Sequence, residues 1–251
     1  MDYRKKSGEQ ILSELDTYLH KNDYAGAEQY LLDVRRGASE QGDLHTLVTV
    51  FNELMGLYRK TGRESEALDS VDAALDTITA LGAERQVGSA TTYLNCATVY
   101  KAFGRAEQAI PLFCRAREIY EDKLSPEDRR LGGLYNNMGL ALVDAGRFDE
   151  AYGLYAKAIE VMKRAEDGAL EVAITYLNMA SAAEAQLGLE AAEERIQEYL
   201  AAAEALLESH QNRDGYYAFV CEKCASVFGY YGHFFYEKEL SERARRIYEG
   251  A

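Results

Sequence analysis

The chain has no tryptophan, two prolines and four cysteines in 251 residues. So few cysteines exclude a disulfide framework, and Cys96 and Cys114 fall on apolar helical positions, which suits buried thiols in a reducing compartment. No apolar run approaches the roughly 18 to 20 residues needed to cross a bilayer. The N-terminus opens on charged Asp2, Arg4, Lys5 and Lys6 with no apolar segment behind them, so no leader is expected. Basic residues are outnumbered, with a formal net charge of -14, which argues against nucleic acid or an anionic membrane as partner. These absences lead us to expect a soluble, cytoplasmic protein.

Catalytic signatures are missing too. His20, His45, His210 and His233 are scattered along the chain, and no phosphate-cradling glycine loop or activated-serine motif is present. Cys221-Glu-Lys-Cys224 has the spacing of a redox or zinc pair, but it lies in a predicted helix without the second pair of ligands that a structural zinc site takes. The abundant Asp and Glu read as solvated helix faces. We therefore expect no enzyme activity, no cofactor and no metal.

What the chain does have is glycine at a regular interval. Gly62, Gly104, Gly146, Gly188 and Gly232 recur at steps of 42, 42, 42 and 44 residues, each between two stretches of helical hydrophobic periodicity. Eleven positions before them stand Phe51, Tyr93, Tyr135, Leu177 and Cys221, and seven before come the small Ala97, Gly139, Ser181 and Ala225, a series that Met55 breaks. Four before come Tyr58, Tyr100, Leu142 and Phe228, with Glu184 as a departure, and five after come Ala67, Ala109 and Ala151. Val71 and Ala74, Phe113 and Ala116, and Tyr155 and Ala158 continue the inward pattern in the following helix. Large residues fill the space between helices and small ones let them approach. Asn22-Asp-Tyr-Ala-Gly-Ala27 stands in for the turn in a first, shorter unit. Six units follow, at about 8–41, 44–82, 86–124, 126–167, 170–209 and 214–250.

Local signals fit these limits. Ser125-Pro-Glu-Asp128 offers a capping serine, proline at the first helical position and acid in the first turn, so a helix is expected to start there. Pro111 falls about one turn into its helix, where a mild bend is expected.

The stretches Thr92-Tyr-Leu-Asn-Cys-Ala-Thr-Val-Tyr-Lys-Ala-Phe-Gly-Arg-Ala-Glu-Gln-Ala109 and Leu134-Tyr-Asn-Asn-Met-Gly-Leu-Ala-Leu-Val-Asp-Ala-Gly-Arg-Phe-Asp-Glu-Ala151 closely resemble the tetratricopeptide helix-turn-helix repeat. The usual repeat spans 34 residues and carries a proline near its end. This chain, with its longer period and no such proline, looks more like the 42-residue variant of kinesin light chains. The extra residues lengthen each helix by about one turn, at 1.5 Å per residue. The resemblance implies an all-α fold, a right-handed superhelical solenoid of about six units forming one domain over 1–251, and a protein-protein interaction scaffold.

It also implies a peptide-binding concave groove lined by the first helix of each unit. At the groove positions stand Thr49, Asn52, Glu53, Arg59 and Lys60; then Thr91, Asn95, Thr98 and Lys101; then Asn136 and Asn137; then Thr175 and Asn178. An asparagine in each of four units resembles a ladder holding a peptide main chain, since a carboxamide donates and accepts at once. The competing reading is that such asparagines bond to the adjacent helix. Arg59, Lys60 and Lys101 offer a seat for a carboxylate, or complement helix ends. The family's two-carboxylate clamp is incomplete, because Leu12 and Asp16 occupy clamp-facing places in the first unit.

The last unit packs Tyr216, Tyr217, Phe219, Tyr230, Tyr231, Phe234, Phe235 and Tyr236 into 21 residues. Solenoids must cap or dock their ends, so this density reads as a homodimer contact, a partner's seat or packing against the helix at 190–209. The alternative to a peptide-binding scaffold is accordingly a regulatory sensor or self-assembling module that uses Tyr216, Tyr217, Tyr230, Tyr231, Phe234 and Phe235 as its interface, similar to the repeat portions of bacterial peptide-sensing regulators.

Overall fold

Short polar side chains start several of the helices. Ser7 accepts the amide of Gln10 while the Gln10 side chain returns to the Ser7 amide, and Asp23, Asp43, Asp128 and Asp214 each accept a first-turn amide. The computed structural model describes residues 6–165 and 168–250. Among these are twelve helices: α1 Gly8–Leu19, α2 Tyr24–Glu40, α3 Leu44–Lys60, α4 Glu64–Leu81, α5 Val87–Ala102, α6 Ala106–Lys123, α7 Arg129–Asp144, α8 Phe148–Arg164, α9 Ala169–Leu187, α10 Leu189–Ser209, α11 Gly215–Tyr230 and α12 Phe234–Tyr248. Taken two by two from α1, the helices form six hairpins.

The recurring glycines close the first helix of their hairpins. Gly62, Gly104, Gly146 and Gly232 have φ of 70, 73, 71 and 85°, left-handed values that side chains resist. The next residue donates to the carbonyl five positions back, as Arg63 does to Tyr58 at 2.9 Å, which satisfies an orphan helix-end carbonyl. Asn22, at φ 54°, does the same work in the first hairpin. Gly188 differs: its φ of 82° goes with ψ 158°, and it alone separates α9 from α10, where other hairpins spend three or four residues.

The helix expected at Ser125 starts later. Residues 125–128 form a turn in which the Asp128 amide donates to the Ser125 carbonyl at 2.9 Å. Asp128 is the cap because its carboxylate takes both the Arg130 amide and the Arg130 guanidinium.

The chain divides into two compact units, Met1–Lys123 and Leu124–Ala251, of three hairpins each. In the first, α3 packs on α2 and α4, and α5 on α3, α4 and α6; in the second, α9 packs on α7, α8, α10 and α11. Ala67, Ala109 and Ala151 are completely buried, as are Val71, Phe113 and Tyr155 with their alanine partners. The break at Met55 has a counterpart. The positions seven before and nine after the turn glycine read Met55 and Val71, Ala97 and Phe113, Gly139 and Tyr155, so one grows as the other shrinks. At the extreme, a Cβ on Gly139 would stand 2.5 Å from the Tyr155 ring.

Candidate functional site

Helical spacing places one face of α3 beside one face of α5, and polar side chains meet there. Asn52 on α3 donates to its own helix at Val48 O, 2.8 Å away, and to Thr92 Oγ1 on α5 at 2.9 Å. Its Oδ1 accepts from Asn95 Nδ2 at 2.7 Å. The second unit repeats the arrangement. Asn136 on α7 donates to Thr175 Oγ1 on α9 at 2.8 Å, and its Oδ1 accepts from Asn178 Nδ2 at 3.4 Å. Each set ties two first helices together through an inner asparagine, leaving an outer asparagine at its rim.

The expected ladder therefore separates into two kinds of residue. Asn52 and Asn136 are engaged between helices, and Asn136 is only 7% exposed. Asn95 and Asn178 are half-buried, and each retains an N–H and its carbonyl oxygen without a partner among the described residues. Asn137 is half-buried and donates to Gly133 O of its own helix at 2.9 Å.

Three expectations meet physical corrections. Thr175 is wholly buried between α7 and α9, so it offers no surface to a ligand. Its counterpart in α5 is Thr92 rather than Thr91, which is exposed and bonds to the Tyr120 hydroxyl at 2.7 Å. Counting back from the glycine misleads here because the turn at Gly188 is shorter than the others. Tyr217 is likewise a core residue, fully buried, stacked on His210 and bonded through its hydroxyl to Arg243 at 3.0 Å.

Among the other groove positions, Thr49 and Thr98 are half-buried and bond back to His45 O and Leu94 O on their own helices. Arg59 is exposed, Lys60 lies 5.1 Å over the Tyr24 ring, and Lys101 is half-buried. Thr49, Asn52 and Thr91 line one cleft of about 410 Å3, together with His45, Gln86 and Ser89. Donors and acceptors thus surround a recess beside the Asn52 and Asn95 pair.

Glu53, the neighbour of Asn52, is half-buried and makes no hydrogen bond or ion pair among the described residues. Burial and, secondarily, the Asp16 carboxylate push its pKa up. A folded-state value above the unfolded one means stability that is present at acid pH and lost as pH rises through the folded value. Glu53→Gln is expected to raise the denaturation midpoint at neutral pH and leave it unchanged at about pH 3, below the ordinary glutamate range. Equal midpoints at neutral pH would refute the strain.

The six aromatic interface candidates also sort by exposure. Tyr216 is 37% exposed and bonded to Glu171, Tyr231 is half-buried, and Tyr230, Phe234 and Phe235 are well exposed. Cys221 and Cys224 are buried in α11, where burial pushes the Cys224 thiol up to about 12. Among the described residues, no group of three His, Cys, Asp or Glu side chains gathers as a metal site would, and no helix is long and apolar enough to cross a membrane.

No curated protein sequence matches the chain significantly. Solved structures do, at the level of fold. BtubC (BKLC) from P. vanneervenii is 23% identical with a TM-score of 0.68, covering 81% of this chain and 82% of that one. The nearly identical repeats of a putative kinesin light chain from Podosopora anserina are 17% identical with a TM-score of 0.54, covering 78% and 92%. A Rap protein solved in complex with competence and sporulation factor is 16% identical with a TM-score of 0.51, covering 94% and 73%. A tetratricopeptide repeat profile matches residues 46–122 and 130–205, spanning α3 to α6 and α7 to α10 and taking in both asparagine sets. With six helical hairpins, their turn glycines and a profile match over more than half its length, the chain belongs to the tetratricopeptide repeat family, whose members are generally protein-interaction scaffolds.

Proposed function

We infer that the chain is a noncatalytic scaffold with two peptide-holding faces, one formed by α3 with α5 and the other by α7 with α9. The observation that carries this reading is the pair of outer asparagines. Asn95 and Asn178 each present a donor and an acceptor, and each amide is oriented by the inner asparagine beneath it. Such a preoriented carboxamide can bond one peptide unit of an extended ligand in both directions at little entropic cost. The recess beside Asn52 gives a neighbouring ligand side chain somewhere to go. The Rap protein, which shares the fold, is known in complex with competence and sporulation factor, in keeping with a ligand-holding role for such repeats.

The test begins with peptides selected by phage display against the whole chain, followed by affinity measurement on one selected synthetic peptide. Asn95→Ala combined with Asn178→Ala is expected to weaken it about tenfold or more, the equivalent of roughly 1.4 kcal/mol, with thermal unfolding unchanged. Undiminished affinity in the folded double variant, or no selectable peptide at all, would overturn the reading.

A further inference from the structure

The hairpin turns change character along the chain. The residue after the turn glycine is Arg63, Arg105 and Arg147 in three successive hairpins, and each arginine is paired: with Glu28 and Glu66, with Glu64, and with Glu150. In the next two hairpins the second helix is entered from Gly188, followed at once by Leu189, and from His233. Around them Leu187 is 47% exposed, Leu189 56%, Tyr230 69%, Phe234 67% and Phe235 96%. Leaving that much apolar surface in water is unfavourable, and a cluster of large apolar side chains on an otherwise charged protein marks a contact site.

The two turns are fixed to each other. Tyr230 and Tyr231, at the end of α11, donate to the two oxygens of Glu184 in the last turn of α9, at 2.6 and 2.8 Å. The His233 ring bonds to Gln197 on α10 at 3.0 Å, and beneath the turn the Phe228 ring meets the His233 and Tyr236 rings edge-on. Because the turn at Gly188 is shorter, the place of the aromatic column falls on the buried Ala183, and Glu184 stands one position further on, where its carboxylate holds two tyrosines of the following hairpin. The apolar side chains thus stand on a braced platform, which lowers the ordering cost of binding.

The surroundings select the occupant. Glu190, Glu193 and Glu194 are exposed on the first turns of α10, without an ion pair among the described residues. A second copy would set this acidic rim against itself across a two-fold axis and bring together two chains of net charge -14. Anionic lipid would be repelled in the same way. We propose that the platform formed by the α9–α10 and α11–α12 turns docks an amphipathic helix of a partner protein, with Leu or Phe seated on Leu187, Leu189, Tyr230 and Phe234 and Lys or Arg over the Glu190, Glu193 and Glu194 rim. This surface is separate from the asparagine faces and does not depend on their role.

The probe is a synthetic fluorescein-labelled amphipathic helix with Leu and Phe on one face and Lys and Arg flanking it, titrated with the full chain by anisotropy. Its control carries Glu in place of the basic residues. Binding of the basic probe is expected to fall about tenfold or more for Leu189→Ser combined with Phe234→Ser and to be lost with the acidic control, while Asn95→Ala with Asn178→Ala binds as before. Both platform side chains are more than half exposed, so the fold survives their replacement, and an unchanged thermal transition checks this. Absence of binding, equal binding of both probes, or equal affinity of the platform variant overturns the proposal. So does a concentration-dependent dimer in sedimentation that the platform variant abolishes, or adsorption of the chain to anionic vesicles.

Discussion

Gly139→Ala is expected to destabilise the protein, and Tyr155→Phe to recover much of the loss. A methyl on Gly139 would lie 2.5 Å from Cε1 of Tyr155 and 3.0 Å from Cζ, and that ring is completely buried. Overpacking of this kind costs about 1–3 kcal/mol, against which removal of a helical glycine returns roughly 1 kcal/mol. Tyr155 carries a second cost, because its buried hydroxyl has no hydrogen-bond partner. Deleting an unsatisfied buried polar group is expected to gain on the order of 1 kcal/mol. One repeat earlier, Ala97 and Phe113 occupy the same two positions, both fully buried, so the double variant copies a packing the fold already contains. In denaturant unfolding the hydroxyl gain is expected with or without the methyl on Gly139, and a Tyr155→Phe variant no more stable than the parent would show that the hydroxyl carries no cost.

That pair also shows where sequence reading succeeds and where it stops. The turn glycines, the buried alanines and the alternation of large and small residues are local consequences of helix geometry, so they stand in the one-dimensional pattern. Met55 looks like a fault in one column until Val71 is read beside it. The asparagine sets were half legible. Thr-Tyr-Leu-Asn occurs at both 92–95 and 175–178, and an alignment on those words, rather than on Gly62 to Gly232, pairs Thr92 with Thr175. The glycine alignment fails there because the turn at Gly188 is shortened, a backbone difference that no residue type announces. The distinction between inner and outer asparagines lay beyond composition, since all are the same residue and only the neighbouring helix decides which is buried. The same holds for Tyr217 and Tyr230, two tyrosines of one helix, one in the core and one 69% exposed.

The inner and outer asparagines are expected to separate in experiment. Asn136→Ala removes the acceptor for Asn178 and a partner of Thr175 at a site that is 7% exposed. Thr175 Oγ1 keeps its bond to Glu171 O, and loss of the two asparagine bonds should cost about 1–3 kcal/mol in denaturant unfolding. Asn178→Ala removes a half-buried side chain held by one long bond of 3.4 Å, and Asn136 keeps its bond to Thr175. Its effect on stability should stay within about 0.5 kcal/mol, as for a surface substitution. The same contrast is expected between Asn52→Ala and Asn95→Ala in the first unit, where Asn52 bridges Val48 and Thr92. If the outer variants cost as much stability as the inner ones, all four asparagines belong to the helix packing and the peptide-holding role loses its support. If only the inner variants destabilise, then two polar side chains, one in each unit, are held in place by the fold without being needed for it. That outcome would support the proposed binding of a peptide main chain by their unused donors and acceptors.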